Sequence, residues 1–112
     1  MVTFFDPGQM TARLDLEVPE AEPDGQGGAT VTWTVAASLW ARIEPRDAPF
    51  VVGEMAAAKG AKVTHRIWVR HRSDIAAGHR LRKGERVFSV KLVHDPDETA
   101  RYLVCQCEEV AR

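Results

Sequence analysis

The chain has 112 residues, of which 45% are hydrophobic and 28% charged, with a formal net charge of −1. This length fits one domain. No stretch approaches the roughly 20 apolar residues of a membrane-spanning helix, and the apolar content is too high for a disordered chain. The N-terminal residues lack the basic and apolar segments of a secretory signal, so we expect an intracellular protein without a membrane partner.

Charge is distributed unevenly along the sequence. Residues 1–58 carry three basic and nine acidic side chains, whereas residues 59–91 carry ten basic and two acidic ones. This segregation suits head-to-tail contact between copies, or a polyanion on one side and a protein on the other. Ordinary solvated strand faces would give the same distribution, so charge alone does not decide between these interpretations.

The first two predicted strands flank an acidic loop. Apolar and charged residues alternate over residues 12–18, which predicts a half-buried strand. Residues 19–28 combine two prolines with three glycines and predict an exposed hairpin loop. Residues 30–44 show the clearest alternation in the chain and predict a second strand whose odd-numbered residues face inward. At about 3.3 Å per residue this strand is longer than a small domain, so we expect a bend or a bulge near residues 36–37.

The alternation stops at residues 45–62, where two prolines precede an alanine run that favours a short helix ending at Gly60. A stretch of this length without strand pairing is unusual in a small domain, and such loops tend to be functional. We therefore predict a long interaction loop at residues 45–62. A third strand is predicted at residues 63–72, and a polar loop at residues 73–85 follows it.

Two further strands complete the predicted fold, at residues 86–93 and 101–110. The residues of these strands predicted to face inward are Phe88, Val90, Leu92, Leu103, Cys105 and Cys107. We predict one all-β domain, a small, partly closed antiparallel barrel of about five to six strands. Residues 1–11 are expected to form a flexible N-terminal arm.

No set of residues predicts an enzyme. The histidines are scattered, and Cys105 and Cys107 lack the second ligand pair of a structural zinc site. We interpret both cysteines as small core residues, with a metal or redox site as the competing hypothesis. The glycines at residues 25–28 precede a strand instead of a helix, so they do not form a phosphate-binding loop. We expect no catalytic residue, no metal and no cofactor.

Two tryptophans, Trp40 and Trp68, fall on the polar faces of their predicted strands. Large aromatic side chains bounded by charge act as interface anchors, or as stacking platforms for single-stranded nucleic acid. The long loop folded over them would instead make a second small core. With the apolar part of that loop, the candidate ring or partner interface comprises Trp40, Phe50, Val51, Val52, Met55 and Trp68.

Basic residues gather in a second candidate surface. The glycine-bounded segment 78–84 fits a phosphate backbone, or the acidic loop of another copy. The candidate contacts to DNA or to an acidic partner are Arg80, Arg82, Lys83, Lys59 and Lys62.

Several segments occur in an order and spacing typical of one protein family. They are residues 40–45, 63–72, 84–88, 95–98 and 103–108, and the most specific is Thr64-His65-Arg66 with the basic strand after it. From about Ala12 to Glu109 the chain resembles the head-tail joining proteins of tailed bacteriophages, which also occur in gene transfer agents.

The resemblance implies a non-enzymatic β-barrel that forms a ring of six or twelve copies at the head-tail junction of a phage or phage-like particle. As a head-closure or stopper protein, made in the bacterial cytoplasm, it would join the portal-adaptor complex to a tail terminator or other tail protein. It would retain packaged double-stranded DNA and lie close to that DNA without reading its sequence. Residues 46–62 would take part in contacts within the ring and with neighbouring proteins. The competing hypothesis is a single-stranded nucleic-acid-binding barrel that uses Trp68, Phe88 and the basic run.

Overall fold

A computed structural model describes residues 6–51 and 62–110 of the chain. A short 3-10 turn, Pro7–Gln9, precedes six strands: β1 (Ala12–Pro23), β2 (Ala29–Val51), β3 (Lys62–Arg70), β4 (Arg80–Lys83), β5 (Arg86–His94) and β6 (Tyr102–Val110). The strands are antiparallel and close into a barrel in the order β1-β2-β3-β6-β5-β4. The prediction of a small all-β barrel is confirmed. None of the described helical residues forms a segment long and apolar enough to cross a membrane.

The barrel closes at a short seam between β1 and β4, where Asp15, Leu16 and Glu17 pair with Arg82, Leu81 and Arg80. β4 lies inside the segment predicted as a polar loop, so that prediction is wrong for residues 80–83. Only Leu81 of this strand is buried in the core. One inward residue among charged neighbours gives too little alternation to identify a strand.

The core is formed by inward-facing residues of all six strands, and it contains Leu14, Leu16, Leu39, Ala41, Ile67, Val69, Leu81, Phe88, Val90, Leu103, Cys105 and Cys107. The inward positions predicted for Phe88 and for both cysteines are confirmed. The inward position predicted for Leu92 is wrong, because the pairing register of β5 with β6 shifts between Val90 and Leu92. This irregularity reverses the alternation, so that Val93 packs against the core instead.

The outer face of β6 is more covered than predicted. Val104 is 1% exposed and Gln106 is 8% exposed, although the inward positions predicted for Leu103, Cys105 and Cys107 place both residues on the outer face by alternation. β6 lies between β3 and β5, so Val104 has Trp68 and His94 as cross-strand neighbours, while Gln106 lies opposite Arg66. Long side chains on the flanking strands leave these two residues little access to water.

A β-bulge divides the first hairpin. Leu16 pairs with Ala37 and Glu17 pairs with Val35, which leaves Ala36 as the extra residue of β2. The expected bulge near residues 36–37 is confirmed. Because a bulge adds one residue to one strand, side chains of β2 on its two sides follow opposite alternation.

Beyond the bulge, β1 and β2 continue as a two-stranded ribbon, defined here as residues 18–23 and 29–35. Residues 19–23, predicted as a loop, are therefore strand, and only residues 24–28 form the turn. The Asp24 carboxylate accepts hydrogen bonds from the backbone N–H groups of Gln26 and Gly28 at 2.8 and 3.1 Å, which fixes the turn. The molecule measures 51 × 30 × 26 Å.

At the other end, β2 runs to Val51 and pairs with the start of β3, with an irregularity between Pro45 and Phe50. The long loop predicted at residues 45–62 is therefore strand over residues 45–51. The expected short helix lies outside the described residues, as do Val52, Met55 and Lys59.

In the N-terminal segment Met10 is buried. The flexibility expected for residues 1–11 stays a prediction.

Candidate interaction surfaces

The ribbon has one apolar and one polar face. Directly paired residues of antiparallel strands lie on the same face. One face carries the pairs Pro19–Trp33, Ala21–Val31 and Pro23–Ala29. The opposite face carries the pairs Val18–Thr34, Glu20–Thr32 and Glu22–Thr30. The ribbon is therefore amphipathic, although residues 19–32 lie outside the barrel.

The apolar face of the ribbon corrects the sequence prediction for β2. Val31, Trp33 and Val35 were expected to face inward, but Val31 is 53% exposed and Val35 is 54% exposed. The bulge at Ala36 moves these odd-numbered residues to the outer side, and none of the six described strands lies beneath the ribbon. The position of the bulge was the one signal in the sequence from which this reversal could have been inferred.

The base of the ribbon is fixed by a buried carboxylate. Glu17 is 7% exposed, and its carboxylate accepts hydrogen bonds from the Nε atoms of Arg80 and Arg82. The Arg80 guanidinium also lies 4.1 Å from the ring centroid of Trp33, a cation-π contact. Two residues predicted to bind DNA or an acidic partner thus bind an acidic residue of their own chain and hold the ribbon against β4.

A second surface surrounds Trp40, which is 53% exposed. The Arg13 guanidinium lies 5.1 Å from the centroid of this indole, and Arg13 Nε donates to Ser38 Oγ at 2.9 Å. Beside the indole is a groove of about 210 Å³, called here the Trp40 groove, lined by Arg13, Ser38, Leu39, Trp40, Val69, Arg70 and Arg72. The groove combines an exposed aromatic ring with three guanidinium groups.

The charges of the Trp40 groove are only partly neutralised. Arg72 donates two hydrogen bonds to Asp74, at 2.7 and 2.8 Å. The hydrogen bond from Arg72 is the main cause that holds the pKa of the Asp74 carboxyl below its ordinary value. Arg70 is exposed, and no carboxylate among the side chains that the structure describes, those of residues 6–46 and 62–110, forms an ion pair with it. The groove therefore keeps a net positive charge suited to an acidic partner.

Trp68 and Phe88 do not form an open stacking platform. Trp68 is half-buried, lies opposite Val104 and has its indole nitrogen shielded from solvent. Phe88 is fully buried, with the His65 ring edge-on at 5.1 Å between centroids. Base stacking needs exposed aromatic faces, so this geometry argues against the single-stranded nucleic-acid hypothesis.

The Thr64-His65 motif joins three strands at the barrel end opposite the ribbon. Thr64 Oγ1 accepts a hydrogen bond from the backbone N–H of Glu109 at 2.8 Å and lies 2.9 Å from His65 Nδ1. Arg86 donates to both carboxylate oxygens of Glu109, at 2.9 and 3.1 Å. Burial lowers the pKa of His65, against the opposing effect of Glu109. The motif therefore has a structural role here.

The same end of the barrel carries an open cleft of about 720 Å³, lined by Gly8, Gln9, Thr11, Ala12, Arg42, Ile43, Pro45, His65, Lys83 and Arg86. Lys83 is exposed at its rim, and Lys62 is exposed at the start of β3. The exposed lysines and the acidic ribbon thus lie at opposite ends of the molecule.

The buried thiols are not suited to metal or redox chemistry. Cys105 and Cys107 are free and buried. Burial raises the pKa of the Cys105 thiol to about 12 and raises the pKa of Cys107 well above its ordinary value. Thiolate is the reactive form, so these residues behave as small apolar side chains. Within the described part of the chain, no group of three or more potential ligands could hold a metal ion.

Comparisons with known proteins agree with this architecture. Residues 5–110 match the phage head completion protein family. A search of curated proteins finds no match. The chain is 25% identical to a chain in the virion of a native gene transfer agent particle, with a TM-score of 0.68, covering 91% of this chain and 96% of that chain. It is 26% identical to protein SF1141 from Shigella flexneri 2a, with a TM-score of 0.67, covering 96% of this chain and 99% of that chain.

The matched region includes all six strands, the ribbon and the Trp40 groove. The family resemblance inferred from the sequence is confirmed, including its link to gene transfer agents. A structural protein of a virion interacts with other structural proteins of the particle, and a connector role between head and tail follows in general terms. This chain belongs to the phage head completion protein family.

Proposed function

We propose that this protein is a head-closure or stopper protein that forms a ring between the portal-adaptor complex and the tail. The observation that carries the proposal is the match of nearly the whole chain to the head completion family and to a chain of a gene transfer agent virion. In this role the protein retains packaged DNA and presents an attachment surface to a tail terminator or another tail protein. The role is structural and requires neither catalysis nor a cofactor.

The shape of the molecule supports a ring. A ribbon projects from one part of the barrel, and a groove with different chemistry lies on another. When two different surfaces of a chain bind each other between copies, the contact is heterologous, and a suitable rotation closes it into a ring. A ring of six or twelve copies would place many equal surfaces around the DNA channel at the junction of head and tail.

The exposed lysines at the end opposite the ribbon support proximity to DNA. Lys62 and Lys83 are both exposed there, and contacts from lysines to phosphates need no base sequence. Arg80 and Arg82 are less available, because both bind Glu17. We propose that the lysine-bearing end faces the packaged DNA.

The test is electron microscopy of particles from a producing strain in which the gene is deleted. The proposal predicts heads that leak DNA or remain without tails, beside separate finished tails. A wild-type copy of the gene should restore joined particles and thereby exclude effects on neighbouring genes. Normal tailed particles in the deletion strain would overturn the proposed function.

A further inference from the structure

The ribbon is built like part of an interface, because it has an apolar face that the described residues of its own chain leave open. Residues 19–36 are exposed, with the exception of Trp33, which is half-buried beneath Arg80 at the base of the ribbon. A two-stranded ribbon without a covering layer is marginally stable in water. Contact with another surface would bury Val31 and Val35, which are more than half exposed in the single chain.

The unpaired edge of β2 in the ribbon is a second reason to expect that another protein surface covers the ribbon. Residues 29–41 contain no charged side chain and are rich in threonine and valine. Over residues 29–40, β2 pairs only with β1 among the described strands. Natural proteins protect long, uncharged edge strands with charges, bulges or a covering element, because such edges promote aggregation. An assembled particle would supply the cover.

The Trp40 groove offers a matching surface on another copy of the chain. The ribbon and its turn, residues 18–35, contain three acidic side chains, Glu20, Glu22 and Asp24, and no basic one. The groove presents Arg13, Arg70 and Arg72 around an exposed indole. An apolar face with an acidic tip is complementary to an aromatic ring bordered by arginines, both in charge and in the need to bury apolar area.

The ribbon cannot fill the groove of its own chain. Val31 and Trp40 lie on the same strand, nine positions apart, and about 3.3 Å per residue separates them by roughly 30 Å. We propose that the apolar face of the ribbon of one copy packs on the Trp40 groove of the next copy. This inference rests on the proposed ring and specifies the contact that builds it.

Disulfide trapping tests which surfaces meet. A chain with Val31→Cys and Trp40→Cys should form reducible, ladder-like covalent oligomers in assembled particles, because the two positions are too far apart for a bridge within one chain. The native cysteines are buried and should not form disulfide bonds in this experiment. A mixture of the two single variants should form dimers. Cross-linking of Val31→Cys alone to itself, or of either variant to another virion protein, would overturn the proposal.

A matched pair of charge insertions tests the face of the ribbon. Val31→Lys with Val35→Lys places two ammonium groups on the apolar face, opposite the arginines of the groove, and we expect incorporation into particles to fall about tenfold or more. Thr30→Lys with Thr34→Lys adds the same charge to the same strand on the opposite face and should leave incorporation near the wild-type level. All four positions are exposed, so thermal melting should show that both double variants fold. Equal incorporation of the two variants would contradict the proposal.

The results of these experiments distinguish the proposed ribbon contact from the proposed connector function on which it rests. If the deletion strain lacks joined particles but the cysteine pair never cross-links and both double variants incorporate normally, the ribbon contact is wrong and the connector role stands. If the deletion strain makes normal tailed particles, the connector role itself is wrong.

Discussion

The same two strands behave differently on the two sides of the bulge at Ala36. In the barrel, Leu14 and Leu16 of β1 are fully buried against the core. In the ribbon, the pairing of β1 with β2 continues without interruption to Pro23 and Ala29, yet residues 19–35 stay exposed apart from the half-buried Trp33. Backbone pairing and alternation are therefore properties of the hairpin itself. Burial depends on whether another element lies against the face.

The boundary between the two regions is chemical as well as geometric. Glu17 lies at the bulge, and its carboxylate joins the base of the ribbon to Arg80 and Arg82 of β4. On the barrel side of Glu17, the hairpin contributes Leu14 and Leu16 to the core. On the other side, the hairpin projects as the ribbon, and we propose that another protein in the particle covers its apolar face.

The largest contrast between the two regions is expected for truncated apolar side chains. Leu16→Ala removes a fully buried side chain and should lower the free energy of unfolding by about 2–5 kcal/mol. Val35→Ala, across the bulge, should change the free energy of unfolding by less than about 0.5 kcal/mol. Urea denaturation of the isolated protein measures both values. Equal losses would mean that the ribbon is covered within the single chain.

The Glu17 anchor is expected to have the next largest effect. Glu17→Ala leaves the guanidinium groups of Arg80 and Arg82 without their buried acceptor and should cost about 1–3 kcal/mol. This range already allows for Arg82, whose side chain is 36% exposed. Ribbon amides should then exchange hydrogen faster than in the wild type, as measured by mass spectrometry.

The control for the Glu17 anchor is Glu20→Ala, which removes an exposed carboxylate from the adjacent part of the ribbon. It should leave both stability and ribbon exchange unchanged. If Glu17→Ala behaved like this control, the two arginines would not fix the base of the ribbon.

Thiol labelling should distinguish the two regions within one molecule. Burial raises the pKa of Cys105 to about 12, so neither native thiol should react with iodoacetamide at pH 8 while the protein is folded. A cysteine introduced by Val35→Cys should react promptly, giving one labelled thiol per chain by mass spectrometry. All three should react in denaturant. Rapid labelling of the native thiols in the folded protein would show that the barrel opens easily.

The smallest effect is expected from pH. Burial lowers the pKa of His65 below its ordinary value of 6.5, so the unfolded chain binds more protons than the folded chain between these two pKa values. Stability should therefore fall as pH drops from about 6.5 through the folded pKa, by at most about 1.4 kcal/mol per pH unit for this residue. Burial lowers the pKa of His94 in the same direction.

Because residues 18–35 contain no histidine, this pH dependence should belong to the barrel alone. His65→Gln should reduce the slope of stability against pH, measured by urea denaturation between pH 7 and pH 5. An unchanged slope in this variant would assign the dependence to other groups.

The alternation of residues 12–18, 30–44, 63–72, 86–93 and 101–110 was sufficient to predict the barrel and most of its core, including both cysteines. β4 was missed because its four residues include only one buried side chain, Leu81, and so show too little alternation, although its hairpin with β5 is local. The 63 positions between Arg80 and Glu17 explain why the partner of the basic segment could not be inferred. No local pattern shows that Arg80 binds a carboxylate of its own chain.

The exposed position of Trp40 was predictable, because the residue lies on the polar side of a regular alternation after the bulge. Val31 and Val35 were assigned to the wrong face, although the bulge itself was expected nearby. Residues on the two sides of a bulge follow opposite alternation, because the extra residue shifts the pattern by one position. Its approximate location therefore predicts the bend of a strand but not the side on which its residues lie.

The most direct test of the connector role is a cryo-electron microscopy reconstruction of the intact particle from the producing strain. We predict a ring of closed six-stranded barrels at the junction of head and tail, with the lysine-bearing ends toward the packaged DNA and each ribbon on the Trp40 groove of its neighbour. Density for these barrels at any other position in the particle would contradict the account.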